Sequence, residues 1–384
     1  MIRSRQGRMI PHRISNEPFD AFLPNPLPPS PALEETSELR LACSRADQML
    51  GRLDGLSTLI RHPDLLINFY IRKEAVLSSQ IEGTQSTLSE LLLFEMEPES
   101  GTEDTAEVAN YVLAMRHGLM RLNEGFPLSL RLIREMHEVL LSSDRGSRST
   151  PGEFMTSQNW IGGSRPGNAL YVPPPVQEMN EALDSLERFL HNGAEKFPVL
   201  VQCALIHVQF ESIHPFLDEN GRMGRLLITL LLVERGVLVK PLLYMSLYLK
   251  QNRDEYYALL QRVRHDGDWE AWILFFLRGV ASTAERAVAL AKDLLTLVEE
   301  DMQKLDDVGG RRGSAQKVLT ILQEMPYTSI GRLAEATGLS FNTVSSSLEL
   351  LKSKGIATEV TRRHRRFFLY YNYIRLMDEG ALAG

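Results

Sequence analysis

Apolar residues recur at helical spacing along most of the chain. From Leu33 to Leu53 and from Pro63 to Ile81 they return every three or four positions, which places one face of an α-helix against a core. The same period predicts helices at about 85–95, 105–123, 128–142, 176–191, 198–213, 222–235, 252–265 and 268–304. Two segments break it. Residues 16–32, NEPFDAFLPNPLPPSPA, carry too many prolines for a helix and read as an extended arm lying on the surface or on another element. Residues 151–175, PGEFMTSQNWIGGSRPGNALYVPPP, set two β-prone runs either side of a Gly/Pro-rich turn, which predicts a hairpin beside a helical core.

Past residue 298 the organisation changes. Residues 299–313 pass from an acidic helix end into Gly and Arg, a composition suited to a linker. Beyond it come a helix (SAQKVLTILQEM), a second helix, a turn, a third helix (FNTVSSSLELLKSKG) and two strands joined by a basic turn. That order predicts a winged helix-turn-helix. The expected fold class is therefore mainly α, with an N-terminal helical region over 1–100, a core over 101–298, a linker over 299–313 and a winged helix over 314–384.

Composition adds limits more than identity. A chain of 384 residues, 43% hydrophobic and 24% charged, has the makeup of an ordinary folded protein of two or three domains. No apolar run is long enough to span a bilayer and the basic start lacks a secretory apolar segment, so a cytoplasmic protein without membrane contact is expected. Two isolated cysteines, Cys43 and Cys203, make neither a disulfide framework nor a thiolate metal site. The net charge of -7 hides an asymmetry, because residues 311–384 hold 11 Lys and Arg against 6 Asp and Glu. A tail facing a polyanion is consistent with that split.

The densest chemistry lies in HPFLDENGRMGR, residues 214–225. Pro215 stops the preceding helix at His214, and the next helix begins near Arg222, so the polar cluster feeds a helix N-terminus. Asn220 and Gly221 permit a sharp turn, and the free N–H groups of a first helical turn form an anion site. Arg222 and Arg225 lie three apart on one face and reach the same polyphosphate. Asp218 is placed to hold Mg2+ beside phosphate oxygens. His214 remains as the general base for a hydroxyl nucleophile.

These residues resemble the Fic family signature, HxFx(D/E)(G/A)NGRxxR, matching at His214, Phe216, Asp218, Asn220, Gly221, Arg222 and Arg225. The resemblance extends through VQCALIHVQFESI and the predicted hairpin over most of residues 60–280. It implies a Fic-type helical core with a β-hairpin flap, and transfer of AMP from ATP with Mg2+ to a Tyr, Thr or Ser hydroxyl of a target protein, self-modification included. By the same resemblance His214 is the base, Asp218 holds the metal, and Glu219, Asn220, Gly221, Arg222, Gly224 and Arg225 serve the phosphates. Glu219 departs from the pattern, since the family usually has a small residue there. In SQNWIGG, Trp160, Ile161 and Gly162 fall on the target-docking flap, with packing of Trp160 onto the core as the plainer alternative. A later resemblance, in NRDEYYALL, sets Tyr257 against adenine, with a core aromatic as the alternative.

A second stretch, SSQIEGTQ, contains Ser78, Glu82 and Gly83 in the order (S/T)xxxE(G/N). Ser78 and Glu82 share a helix face and Gly83 lets the chain turn away. In Fic relatives the similar motif is inhibitory, which implies that Glu82 pairs with Arg225 and denies it to the ATP γ-phosphate. In some relatives the same glutamate supports removal of AMP, so de-AMPylation is an alternative activity. A rival reading makes His207, Glu211, His214 and Asp218 ligands of a hydrolytic metal. Spacing opposes it, because His207 and His214 lie about 10.5 Å apart along a helix. The winged helix raises a second function class, a Fic-derived regulator binding duplex DNA or protein through residues 314–384. Asn342 and Ser345 near the start of its third helix, with Arg362, Arg363, Arg365 and Arg366 on the wing, are the candidate DNA contacts. A homodimer is a further candidate assembly.

Overall fold

The computed structural model describes residues 5–14, 17–59, 63–142, 150–362 and 365–382. Two antiparallel strands open the chain, β1 (Gly7–Ile14) and β2 (Glu17–Pro24). The expected extended arm is thus half of a hairpin. Its inner strand buries Phe19, Ala21 and Phe22, while β1 is mostly exposed and shows no core-facing alternation to betray it.

Helices α1 (Ser37–Leu59), α2 (Pro63–Ile81), α3 (Leu88–Met96), α4 (Glu103–Asn123) and α5 (Leu130–Leu140) follow where the periodicity places them. Thr87 and Glu90 form a reciprocal capping box at α3, and Thr102 and Ser129 cap α4 and α5 through their hydroxyls. After the flap come α6 (Val176–Arg188), α7 (Val199–Ile213), α8 (Asn220–Glu234), α9 (Ser246–Gln251), α10 (Arg253–Asp266) and the long α11 (Trp269–Gln303). Both α7 and α8 are buried along nearly their whole length, as helices at the centre of a bundle must be. The short α9 carries too few residues to show a period, and the pattern misses it.

Between α5 and α6, the expected hairpin is a loop closed by one antiparallel bridge, Ile161 with Tyr171. Ile161 donates to the Tyr171 carbonyl at 2.8 Å, and Asn168 Oδ1 gathers the N–H groups of Ser164 and Arg165 across the tip. A longer ladder is blocked on both sides: Gly162 and Gly163 sit at φ near +70°, and Pro173 to Pro175 offer no donors. The arms bond elsewhere instead, Met155 N–H to the Pro215 carbonyl and the Val172 carbonyl to Phe22 N–H.

The C-terminal unit comprises α12 (Arg312–Glu324), β3 (Tyr327–Thr328), α13 (Ile330–Thr337), α14 (Phe341–Ser353), β4 (Thr358–Arg362), β5 (Arg365–Leu369) and α15 (Tyr371–Leu382), with sheet order β3-β5-β4. The winged helix expected from sequence is present, extended by β3 and α15. The expected linker is part helix, since α11 runs to Gln303 and carries Asp301 fully buried. Asp301 accepts from Tyr370 Oη at 2.8 Å and from Lys304 Nζ at 2.6 Å, which ties the linker to the winged helix. Tyr373 meets Phe69 of α2 edge to face, and α12 and α15 both pack on α2. One apolar core runs through both halves.

Candidate active site

The centre of the site is the loop between α7 and α8. Pro215 ends α7, and His214 takes a left-handed conformation (φ 50°, ψ 59°) with its N–H on the Phe210 carbonyl at 2.9 Å. Glu219, before α8, is left-handed too, at φ 64°. Each such non-glycine residue costs about 1–3 kcal/mol and persists only where its surroundings hold it.

Three side chains do the holding. Asn220 closes the loop on itself, accepting from Phe216 N–H at 2.9 Å and donating to the Phe216 carbonyl at 2.8 Å. Asn159 of the flap donates to the same carbonyl at 2.7 Å and to that of His214 at 3.3 Å. His137 of α5 stacks on Phe216 with ring centroids 3.7 Å apart. Because its Nδ1 accepts from Gly152 N–H at 3.0 Å, its Nε2 carries the proton and faces the Asp218 carbonyl at 3.3 Å. Burial lowers the His137 pKa to about 4, which keeps that neutral tautomer. Sequence alone gives no sign of Asn159 or His137 in this role.

Around the loop opens a cavity of about 880 Å³. Its wall includes His214, Asp218, Glu219, Asn220, Gly221, Arg222 and Arg225 from the loop and α8, and Glu82 and Gly83 from the end of α2. Trp160, Ile161 and Gly162 of the flap and Tyr257 of α10 also line it. Trp160 and Tyr257 are each 38% exposed, so both present ring surface to the opening. Two candidates lie elsewhere. Ser78 is buried beneath the cavity. Gly224, expected at the phosphates, instead packs inward, its carbonyl 3.0 Å from His207 Nδ1 and a Cβ there 2.3 Å from Glu211 Oε1. It makes room for Glu211 and does not line the cavity.

Arg225 is 1% exposed and held by α2 at three points. Its Nε donates to Ser78 Oγ at 2.8 Å, and its Nη2 donates to the Ser78 carbonyl at 3.1 Å and to Glu82 Oε1 at 2.7 Å. The ion pair expected between Glu82 and Arg225 is present in this geometry. Desolvation would raise the Glu82 pKa, but Arg225 outweighs it and holds the carboxyl below its ordinary value. The carboxylate lies over the start of α8, where a Cβ on Gly221 would meet Glu82 Oε1 at 2.3 Å. It thus occupies the positive end of that helix. About two turns before Glu82, on α2, the buried Glu74 accepts from Ser246 and from Tyr111 Oη, and burial raises its pKa to about 7.

Arg222 is also engaged. Its Nη2 donates to Glu107 of α4 at 2.8 Å, and its Nε lies 3.1 Å from Glu219 Oε2. That second pair is close in charge but misaligned as a hydrogen bond, so Nε, Nη1 and Glu219 Oε2 stay buried without hydrogen-bond partners among the described residues. Burial raises the Glu219 pKa to about 7 against the pull of Arg222. The His214 ring is pushed the other way, to about 4, by burial and then by Arg264, with Glu82 opposing. Its Nδ1 is likewise buried and unpartnered among the described residues. Arg264 of α10, which bonds Ser212 Oγ and the Glu211 carbonyl, and Arg253 at the rim beside Tyr257 were not legible in the sequence.

His207 is not a metal ligand. Its Nδ1 donates to the Gly224 carbonyl at 3.0 Å and its Nε2 accepts from Tyr256 Oη at 2.9 Å, which uses both nitrogens. Among the described residues no three His, Cys, Asp or Glu side chains gather as a metal site.

On the winged helix, Asn342 is exposed at the start of α14 and Ser345 is half-buried. Arg362 and Arg365 face each other at the wing, Arg365 lying 3.8 Å from Glu97. Arg366 is paired with Glu349 and Glu359. Arg363 lies outside the described residues.

Three family models match the chain: Fic/DOC family N-terminal over residues 40–120, Fic/DOC family over 127–232, and winged helix-turn-helix DNA-binding over 312–358. The chain is similar to Protein adenylyltransferase Fic of Drosophila yakuba, 27% identical over 212 residues, covering 55% of this chain and 39% of that protein. Its counterpart in Aedes aegypti is 32% identical over 170 residues, covering 44% and 30% respectively. The chain therefore spans well under half the length of these curated relatives. In fold it resembles a crystal structure of a Fic family protein from Desulfovibrio desulfuricans G20, with a TM-score of 0.57 at 19% identity over 88% of this chain and 97% of that one.

Proposed function

The chain belongs to the Fic/DOC family, and on that premise we propose that it is a protein adenylyltransferase held back by its own α2. Supporting this most directly is the convergence of a half-buried, neutral histidine, a helix N-terminus and two arginines on one cavity, with Arg222 Nη1 left unpartnered among the described residues. Such donors suit a polyphosphate. The cavity is also large enough for a nucleotide beside a protein side chain.

In the proposed reaction, ATP lies with its phosphates at the first turn of α8 and its base near Tyr257. A target hydroxyl enters under the flap beside Trp160 and Ile161, where pairing with the flap backbone would position it. His214 Nε2 takes the hydroxyl proton as the oxygen attacks the α-phosphorus, and the bond from that phosphorus to the bridging oxygen breaks. AMP stays on the target, and pyrophosphate leaves. The exposed Asp218 carboxylate, with one oxygen on Glu219 N–H at 2.8 Å, fits a hard cation beside the phosphates. It would hold Mg2+, which supplies charge neutralisation on the phosphate oxygens. Asn159, Asn220 and His137 keep the loop in register throughout. With Glu82 on Arg225, basal transfer is expected to be low. Both cysteines are free thiols, which fits the proposed cytoplasmic setting.

Incubating Glu82→Gly protein with labelled ATP and Mg2+ tests this reading, with modified residues located by mass spectrometry. Label on a Tyr, Thr or Ser hydroxyl that disappears in Glu82→Gly/His214→Ala is the expected result. An unlabelled Glu82→Gly protein would remove the brake assignment.

A second role is supported by the exposed start of α14, where Phe341, Asn342 and Ser346 face outward. We propose that this end meets duplex DNA, with Arg362 and Arg365 at the flanking phosphates. Binding of the full chain to duplex DNA should weaken as salt rises. No binding at low salt would leave the winged helix as a docking module.

A further inference from the structure

Glu219 stands where a nucleotide phosphate needs room and positive charge. Its backbone is left-handed, a conformation that a glycine adopts freely and a glutamate does not. The side chain makes no capping bond to the N–H groups of α8. It turns inward, is 10% exposed, and has Arg222 as its ion-pair partner.

Arg222 is thereby enclosed by acids. Glu107 takes Nη2 by a hydrogen bond, Glu219 sits against Nε in poor alignment, and Nη1 is buried with no partner among the described residues. A well-made structural ion pair would align its donor and acceptor. Here the carboxyl sits against the arginine without satisfying it. Among the described residues lining the cavity, Glu82, Glu107, Asp218 and Glu219 gather around Arg222 and Arg225, while Arg253 and Arg264 line it from α10.

We infer that Glu219 is a nucleotide-affinity determinant within the phosphate cradle, competing with ATP phosphates for Arg222. Binding of ATP must displace or tolerate this carboxyl, which sets a higher nucleotide threshold than a small residue would. The inference rests on the adenylyltransferase reading and deepens it. It is separate from the contact of Glu82 with Arg225, because it acts on the other arginine and from inside the loop. A repulsive element of this kind discriminates by charge more than by shape.

The test is nucleotide affinity by calorimetry in the Glu82→Gly background. Glu219→Gln keeps the side-chain length, and Glu219→Gly relaxes the backbone. Both should lower the ATP dissociation constant by about tenfold, while adenosine, which lacks phosphate, binds all three proteins alike. An unchanged or weaker ATP constant in both variants would overturn the inference, as would an equal gain for adenosine, which would point to a wider cavity. A Glu82→Gly protein that labels itself while both Glu219 variants leave ATP binding unchanged sinks the inference alone. If Glu82→Gly binds no ATP and labels nothing, the adenylyltransferase reading falls and takes the inference with it.

Discussion

The loop between α7 and α8 and the wing are both rich in charge, yet they settle it in opposite ways. In the wing, Arg366 is shared between Glu349 and Glu359, and Lys352 bonds the same two acids, so that much of the basic cluster is answered from within. At the loop, Arg222, His214 and Glu219 each keep buried atoms unpartnered among the described residues, and two non-glycine residues are held left-handed. Buried polar atoms are ordinarily paired, so leftovers under strain mark a place shaped for something else. Charge density alone would have ranked the two regions together. The state of the partners separates them.

Four substitutions break or sharpen this contrast. The largest effect is expected at His214. In the Glu82→Gly background, His214→Ala should slow AMP transfer by about 10²–10⁴-fold with ATP affinity retained, read from initial rates and calorimetry. The base acts in its neutral form, and burial puts its pKa near 4, so the rate should hold from pH 8 downward and fall only as pH approaches about 4. A fall centred near 6.5 would mean that the ring is not buried as described.

Next comes Asn159→Ala, which frees the carbonyls of His214 and Phe216. A drop of about tenfold to a hundredfold in kcat is expected as the loop loses register, with a smaller change in KM for ATP. An equal loss in both would make Asn159 a nucleotide contact instead.

Tyr370→Phe addresses the satisfied half. It removes one of the two hydrogen bonds to the buried Asp301, and denaturant unfolding should show a loss of about 1–3 kcal/mol with little change in transfer rate. The smallest effect belongs to Arg366→Ala. Its ion pairs are exposed, so the thermal midpoint should not move measurably. A clear shift there would contradict the view of the wing as self-satisfied surface.

Legibility in the sequence followed locality. His214 through Arg225 lie in one continuous stretch, so one loop and one helix turn carry the proposed base, the proposed metal-holding acid and the arginines, and the sequence shows them together. The Glu82 motif became readable only beside that loop. Residues brought in from afar had no comparable signal: Glu107 is 115 positions from Arg222 and lies in an acidic helix like any other. His137 and Arg264 reach the site only through packing. In the fold, long periodic helices were placed well. The exposed β1, the six-residue α9 and the flap, whose arms bond to Pro215 and Phe22, depend on partners remote in sequence. Gly224 misled because the motif places it among phosphate residues while its carbonyl serves His207.

Gly221 has one more consequence. It is helical, so no unusual torsion demands a glycine there. Its missing Cβ is instead the seat on which the Glu82 carboxylate rests, 2.3 Å from where a methyl carbon would sit. Because that carboxylate ends a flexible side chain, an alanine would evict it at little cost to the fold. The same methyl group would crowd the first turn of α8, where the proposed phosphate site lies. On the proposed reading brake and substrate share one vacancy, and a single hydrogen atom in place of a carbon keeps it open to both.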